Sequence, residues 1–143
     1  NKRDLTTFAL YGESTSANGA AVAGLQATNL PSGLHVYSGS NVVANRDGSN
    51  MEFGTFTMGV NFDTKTASIN GSTNSTSLDA TGMSVNTSSG TFHTNSATYR
   101  VNDSADNATV TGLFHGNGAT SVTGVYYPSG NNPATSGAII GNR

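Results

Sequence analysis

Residues Gly112-Leu113-Phe114-His115-Gly116-Asn117-Gly118-Ala119-Thr120-Ser121-Val122-Thr123-Gly124 carry a strand pattern on both sides of a short Gly/Asn-rich connection. Going in, Val110, Gly112 and Phe114 share one face; coming out, Val122, Gly124 and Tyr126 share one face. Successive side chains of a strand point to opposite sides, so this alternation is what a half-buried strand needs. Asn117-Gly118 supplies residues that tolerate positive φ, and the connection is long enough for a hairpin loop.

The same pattern extends upstream. Helical spacing of apolar residues is nearly absent: no window of a dozen residues carries apolar positions at that spacing without glycine interruption. Met51–Phe62 is the clearest strand, with Phe56, Met58, Val60 and Phe62 alternating against Thr55, Thr57, Gly59 and Asn61. Asp47-Gly48 reads as the turn that leads into it, and Asp63-Thr64-Lys65 as the turn that follows. Thr66–Gly71 then places Ala67 and Ile69 inward. In Ser77–Val85 the phase breaks: Leu78 and Ala80 have one parity, Met83 and Val85 the other. A bulge near Gly82 would restore both pairs to the core. Phe92 and Tyr99, within Gly90–Val101, show the same defect.

Thr6–Tyr11 and Ala21–Gln26 are earlier strand candidates, and Leu34–Tyr37 and Asn41–Ala44 read as two short strands. Asn102–Asn107 reads as a polar loop. Ala108–His115, Ser121–Tyr127 and Ser136–Gly141 complete the set. Many short strands joined by hairpin-scale turns indicate an all-β protein, and the expected architecture is a small eight-stranded antiparallel β-barrel with a filled core. Its interior is expected to hold Phe56, Met58, Val60, Phe62, Ile69, Val110, Phe114, Val122 and Ile140. Glycines inside strands (Gly54, Gly59, Gly71, Gly112, Gly124) suit tight curvature. Closure also removes the bare edges that would aggregate in a chain this poor in charge.

Composition agrees with this reading. Hydrophobic residues make up 34% and charged residues 10% of the 143 positions, while Asn, Ser and Thr fill 55. Disorder usually pairs low hydrophobicity with high charge, and charge is scarce here. The length suits one domain, spanning 1–143. A net charge of −2 gives no electrostatic reason to expect nucleic acid or an anionic membrane. No apolar run approaches a membrane helix, so no spanning helix is expected. Cysteine is absent, which removes disulfides and thiolate metal sites. The polar opening Asn1-Lys2-Arg3-Asp4 does not resemble a signal peptide. The Asn/Thr-rich, Lys-poor surface has an extracellular, bacterial character.

The hairpin quoted above resembles the β-barrel domain of the transferrin-binding protein B family. That family's signature runs Gly-x-Phe-Tyr-Gly-Pro-Asn-Ala, then Val/Leu-x-Gly and an aromatic. Gly112, Phe114, Gly116, Ala119, Val122, Gly124 and Tyr126 fall on it with the right spacing, while His115, Asn117 and Gly118 stand at its tyrosine, proline and asparagine. Val60-Asn61-Phe62-Asp63-Thr64-Lys65-Thr66 is similar to an upstream strand and turn of the family, and Gly137–Arg143 to its closing strand. The likeness runs from about Met51 to the end and is weak before it. Members include transferrin-binding lipoproteins, factor H-binding protein and haem-binding hemophilins. The resemblance implies a Gram-negative surface or secreted module without catalysis. It would capture a host protein or haem for iron acquisition or immune evasion, alongside an outer-membrane receptor or secretion-partner barrel. No lipid-bearing Cys and no handle domain are visible. The alternative reading is a structural barrel of a longer surface protein, serving as an adhesin or folding unit.

Candidate contacts are few. His35, His93 and His115 are the only imidazoles. By parity His93 and His115 point outward, so each is expected to be a surface histidine. His115, beside the Gly/Asn loop, is the one best placed for haem iron. Asn117 and Tyr127 flank the same hairpin, and Arg46 and Asp47 occupy the tract Gly39–Asn50. That tract and Gly12–Gly19 are the longest loops expected to make contacts. No preformed metal site is indicated and no cofactor is required, haem being the one candidate. Asp103–Asn107 does not match a calcium loop, no Gly-x-Ser-x-Gly elbow occurs, and nothing sets two of the carboxylates, Glu13, Glu52 and the six aspartates, on a common strand face for a glycosidase pair. Asn-x-Ser/Thr sequons such as Asn74-Ser75-Thr76 are expected by chance in this composition.

Overall fold

The computed structural model describes residues 8–13, 18–23, 27, 29–45, 51–129 and 135–143. Ten strands run in order: β1 (Phe8–Glu13), β2 (Asn18–Ala23), β3 (Leu34–Asn45), β4 (Glu52–Asn61), β5 (Thr66–Ser72), β6 (Thr76–Asn86), β7 (Thr91–Val101), β8 (Ser104–His115), β9 (Ser121–Pro128) and β10 (Thr135–Asn142). Strands β3 to β10 close into an antiparallel barrel in sequence order, with β10 paired to both β9 and β3. Strands β1 and β2 form a separate two-stranded sheet that lies against β9 and β10.

The hairpin read from sequence is present in the expected register. Val110 faces Tyr126, Gly112 faces Gly124, and Phe114 faces Val122. The connection uses positive φ at Gly116 (82°), Gly118 (78°) and Ala119 (53°). Both phase breaks are real. The β5–β6 register slips by one residue between the pairs Ile69–Ala80 and Ala67–Met83, and Gly82 lies in the slip at φ 62°. The β7–β8 register slips between Thr94–Val110 and Ala97–Ala108, which brings both Phe92 and Tyr99 inward and buries them.

Three readings of the elements are corrected. Leu34–Tyr37 and Asn41–Ala44 are parts of one twelve-residue strand; Gly39 between them has a place in the ladder, opposite Phe56. Residues 39–45 of the expected contact loop are therefore wall, and Arg46, Asp47 and the Asp47-Gly48 turn lie outside the described residues. Asn102–Asn107 is not a loop: the turn is Asn102-Asp103, with Asn102 at φ 53°, and β8 starts at Ser104. Ile140 does not face the core. Ile139 does, because Gly137 and Gly141, two residues to either side of it, point into the barrel where Tyr126 and Phe56 press on them. The first two strands are shifted relative to Thr6–Tyr11 and Ala21–Gln26, and Gly12 and Gly19 pair with each other in the β1–β2 ladder.

The interior is filled by rings laid against glycines. A Cβ on Gly112 would come within 2.2 Å of Phe92 Cζ, and one on Gly137 within 2.2 Å of Tyr126 Cζ. Bulky and absent side chains interlock, as close-packed interiors require. Phe62, Phe92, Tyr37 and Phe114 cluster near one end, with centroids of the first three 5.1, 5.4 and 5.8 Å from that of Phe114.

Candidate binding surface

The two ends of the barrel differ. One is closed by the β8–β9 connection. Tyr37, inward on β3, donates its hydroxyl to Ala119 O at 2.6 Å. Arg143 donates from Nη2 to Gly118 O at 2.8 Å and from its backbone nitrogen to Thr120 O at 3.1 Å. Burial pushes the Tyr37 phenol up to about 12, and the nearby Arg143 charge offsets part of that rise. His35 closes the same end from the side: its ring stands 5.9 Å from that of Phe62, and Nε2 donates to Ser32 O at 2.9 Å.

His115 and Asn117 belong to this closed end. His115 does point away from the barrel axis, but it is not a surface residue: it is 0% exposed, with Nε2 2.6 Å from Thr123 Oγ1. The reason is a second layer. Ala27 N donates to Phe114 O at 2.9 Å, Asn29 bridges to Asn117, and β2 lies over β9 and β10. Ser121, Thr123, Ser136 and Ala138 also face outward from the wall and are buried with it. The His115 ring thus lies beneath this layer rather than at the surface. Asn117 stays exposed and accepts from Asn29 Nδ2 at 2.8 Å. His93 is exposed on β7 as expected.

The other end is open among the described residues; its connections 46–50 and 130–134 lie outside them. A cleft of about 400 Å³ is lined by Val43, Met51, Glu52, Thr76, Val101 and Thr135, among others. A second recess of about 370 Å³ adjoins it at Ser75, Thr76 and Asn102, with Arg100 and Asp103 on its wall. Glu52, at the start of β4, organises this end. Its carboxylate accepts from Thr73 Oγ1 at 2.6 Å, Ser75 N at 3.0 Å and Ser75 Oγ at 2.7 Å. These bonds hold the carboxyl below its ordinary value and pin the β5–β6 turn to β4. Deeper in, the Tyr99 hydroxyl pairs with Thr135 Oγ1 at 2.8 Å, and Tyr126 donates to Asn41 Oδ1 at 2.5 Å. Around the rim, Met51 and Phe53 are 45% and 72% exposed. Tyr127, 48% exposed, is on the outer face of β9 close to this end, so the structure separates it from His115 and Asn117.

Among the described residues no group of three or more His, Asp or Glu side chains could hold a metal ion. Glu13 and Glu52 belong to different sheets. Sequence reasoning missed Met51, Phe53 and Glu52 as surface features. Phe53 has the outward parity of Thr55 and Thr57, so the alternation pattern had marked it.

No protein-family model matches the chain, and no curated protein sequence matches it. Solved structures do. A mutant of transferrin-binding protein B from Actinobacillus pleuropneumoniae H49 superposes with a TM-score of 0.67 at 13% identity, covering 99% of this chain and 79% of that one. Isotype 1 transferrin-binding protein B from serogroup B Neisseria meningitidis gives 0.59 at 12% identity, covering 99% and 36%. A mutant from Haemophilus parasuis Hp5 gives 0.60 at 16% identity, covering 87% and 29%. The chain thus spans about a third of the length of the latter two. Its barrel is a transferrin-binding-protein-B-like barrel: the fold is shared, at identities that speak for fold alone.

Proposed function

We propose that this chain is a non-catalytic binding module of a Gram-negative surface or secreted protein, and that it captures a host protein at the open end of the barrel. The observation that carries the reading is the asymmetry between the ends. One is closed by ring packing and backbone hydrogen bonds; the other presents a polar cleft beside solvent-exposed Met51 and Phe53. Large apolar side chains held on rigid strands next to a cleft are the usual anchors of a protein interface. Glu52 serves by fixing the β5–β6 turn rather than by reacting. Shared fold with proteins named for transferrin binding makes transferrin the first partner to try.

The test is binding of the immobilised chain to iron-loaded and iron-free transferrin, and then to whole serum, with haem titration run in parallel. Retention of one serum protein, weakened at least tenfold by Phe53→Ser with an unchanged circular dichroism spectrum, supports the reading; that factor equals about 1.4 kcal/mol, a modest hot spot. Retention that is indifferent to Phe53→Ser and Met51→Ser removes the open end as the site. No retained serum protein, or a haem Soret shift alone, overturns protein capture.

A further inference from the structure

The sequence holds three Asn-Gly pairs: Asn18-Gly19, Asn70-Gly71 and Asn117-Gly118. In such a pair the glycine nitrogen can attack the asparagine Cγ, because no Cβ on the next residue crowds the approach. Backbone freedom decides whether it does. Asn18 and Gly19 are paired across the β1–β2 ladder, and Asn70 and Gly71 are held between β4 and β6. Asn117 alone of the three lies outside the strand ladders, in the β8–β9 connection where a single bridge to Asn29 holds it, exposed and flanked by Gly116 and Gly118 at φ 82° and 78°. Its side chain is also electronically primed: Asn29 Nδ2 donates to Asn117 Oδ1 at 2.8 Å, the oxygen on which negative charge develops when Cγ is attacked.

We propose that Asn117 is a site of spontaneous deamidation, and that its conversion unlocks the segment around Asn29 from the closed end of the barrel. The Gly118 nitrogen loses its proton and forms a bond to Asn117 Cγ. The bond from Cγ to Nδ2 breaks and ammonia leaves, giving a succinimide. Water then opens either carbonyl to aspartate or isoaspartate, so the overall exchange is one water in and one ammonia out. Asn29 polarises the amide and takes no part in bond making. Isoaspartate inserts a methylene into the backbone and adds a negative charge. It displaces Gly118 O and Ala119 O, which accept from Arg143 and Tyr37, and it breaks the Asn29–Asn117 contact.

The experiment is timed incubation of the whole folded chain in mildly alkaline buffer, followed by peptide mapping with isoaspartyl methyltransferase labelling. Isoaspartate should accumulate at position 117 while Asn18 and Asn70 stay intact. Asn29→Ala should slow it by up to about tenfold, the worth of one hydrogen bond to the developing oxyanion. Amide exchange at residues 27–30 should rise in the converted protein. Asn117→Gln, which would need a larger ring, should remain unconverted and keep the slow exchange. Equal conversion at Asn117 and Asn70, or conversion that leaves exchange at 27–30 unchanged, overturns the proposal.

Discussion

Replacing Gly112 with alanine should destabilise the barrel, although alanine normally suits a strand better than glycine does. The added Cβ would stand 2.2 Å from Phe92 Cζ, 2.6 Å from Phe92 Cε1 and 2.3 Å from Thr123 O, where ordinary carbon contacts need about 3.5–4.0 Å. The Phe92 ring has no retreat. It is in contact with Phe114, at a centroid distance of 5.4 Å, and also lies over Gly124, where a Cβ would meet it at 3.2 Å. Thr123 O belongs to the β9 backbone and cannot yield without distorting the ladder. Overpacking of this kind costs about 1–3 kcal/mol, offset by about 0.4–1 kcal/mol from the stiffer unfolded chain. The net expectation is a loss of about 1.3 kcal/mol, or about 3–5 °C in Tm for a domain of this size. Gly59→Ala is the matched control. Its Cβ would meet only Ser68 Oγ, at 3.7 Å, so it should raise stability by about 0.5 kcal/mol. Urea and thermal unfolding of both variants, followed by circular dichroism, decide the matter. Equal effects at the two sites would mean that the rings do not lie on the barrel wall at Gly112, and the interlocked interior would be wrong.

Two further outcomes follow from the ends of the barrel. Tyr37→Phe removes the hydrogen bond to Ala119 O and should cost about 1 kcal/mol at neutral pH. The cost should shrink in alkali: the phenol ionises at about 12 when folded against an ordinary 10.0, so above pH 10 the unfolded chain binds fewer protons than the native one and the wild type loses stability there. Urea unfolding of both proteins across the alkaline range tests this, and parallel curves would refute it. Glu52→Gln should act at the acid side. The folded carboxyl titrates below its ordinary 4.5, so its contribution is complete above that pH and drains away as pH falls through the folded value. The variant should be less stable at neutral pH and show a shallower acid slope, and an unaltered slope would remove Glu52 from its role in pinning the turn.

The polarity of the interior changes along the axis. Toward the closed end the inward rings are Phe62, Phe92 and Phe114, with Tyr37 spending its one hydroxyl on the Ala119 carbonyl. Toward the open end the inward rings include Tyr99 and Tyr126, and a buried hydroxyl needs a partner. Thr135 and Asn41 supply them. Asn41 keeps a second demand, since its Nδ2 has no hydrogen-bond partner among the described residues. All of these groups are buried, so each hydroxyl depends on its partner inside the protein rather than on solvent. The interior is thus apolar toward the closed end and hydrogen-bonded toward the other.

The wall of the barrel was legible because period-two alternation survives even at low hydrophobic content, and because each break in phase coincided with a single inserted residue. The misreadings have separate causes. Gly39 made one strand look like two, since a glycine that admits the close approach of Ile140 O and Gly141 Cα is indistinguishable in sequence from a turn. Asn102–Asn107 looked like a loop because β8 begins with small polar residues, most of them exposed. Ile139 and Ile140 are adjacent, so parity alone could not choose between them until Gly137 and Gly141 were known to lie under rings.

His115 failed for a deeper reason: outward parity was equated with exposure. Side-chain size is compatible with the cover. Where the wall faces water, outward positions carry Asn70, Asp79, His93 and Arg100, all exposed. Beneath the N-terminal layer they carry Ser121, Thr123, Ser136 and Ala138, all buried. A long charged side chain under a second layer would lose its hydration without compensation, whereas small hydroxyls and alanine let that layer approach the wall. Small outward residues permit such a cover without marking one, since Ser38, Thr55, Thr57 and Ser68 on β3 to β5 are equally small and exposed. The burial of His115 therefore follows from the N-terminal layer laid over β9 and β10, a tertiary contact that strand parity alone does not encode.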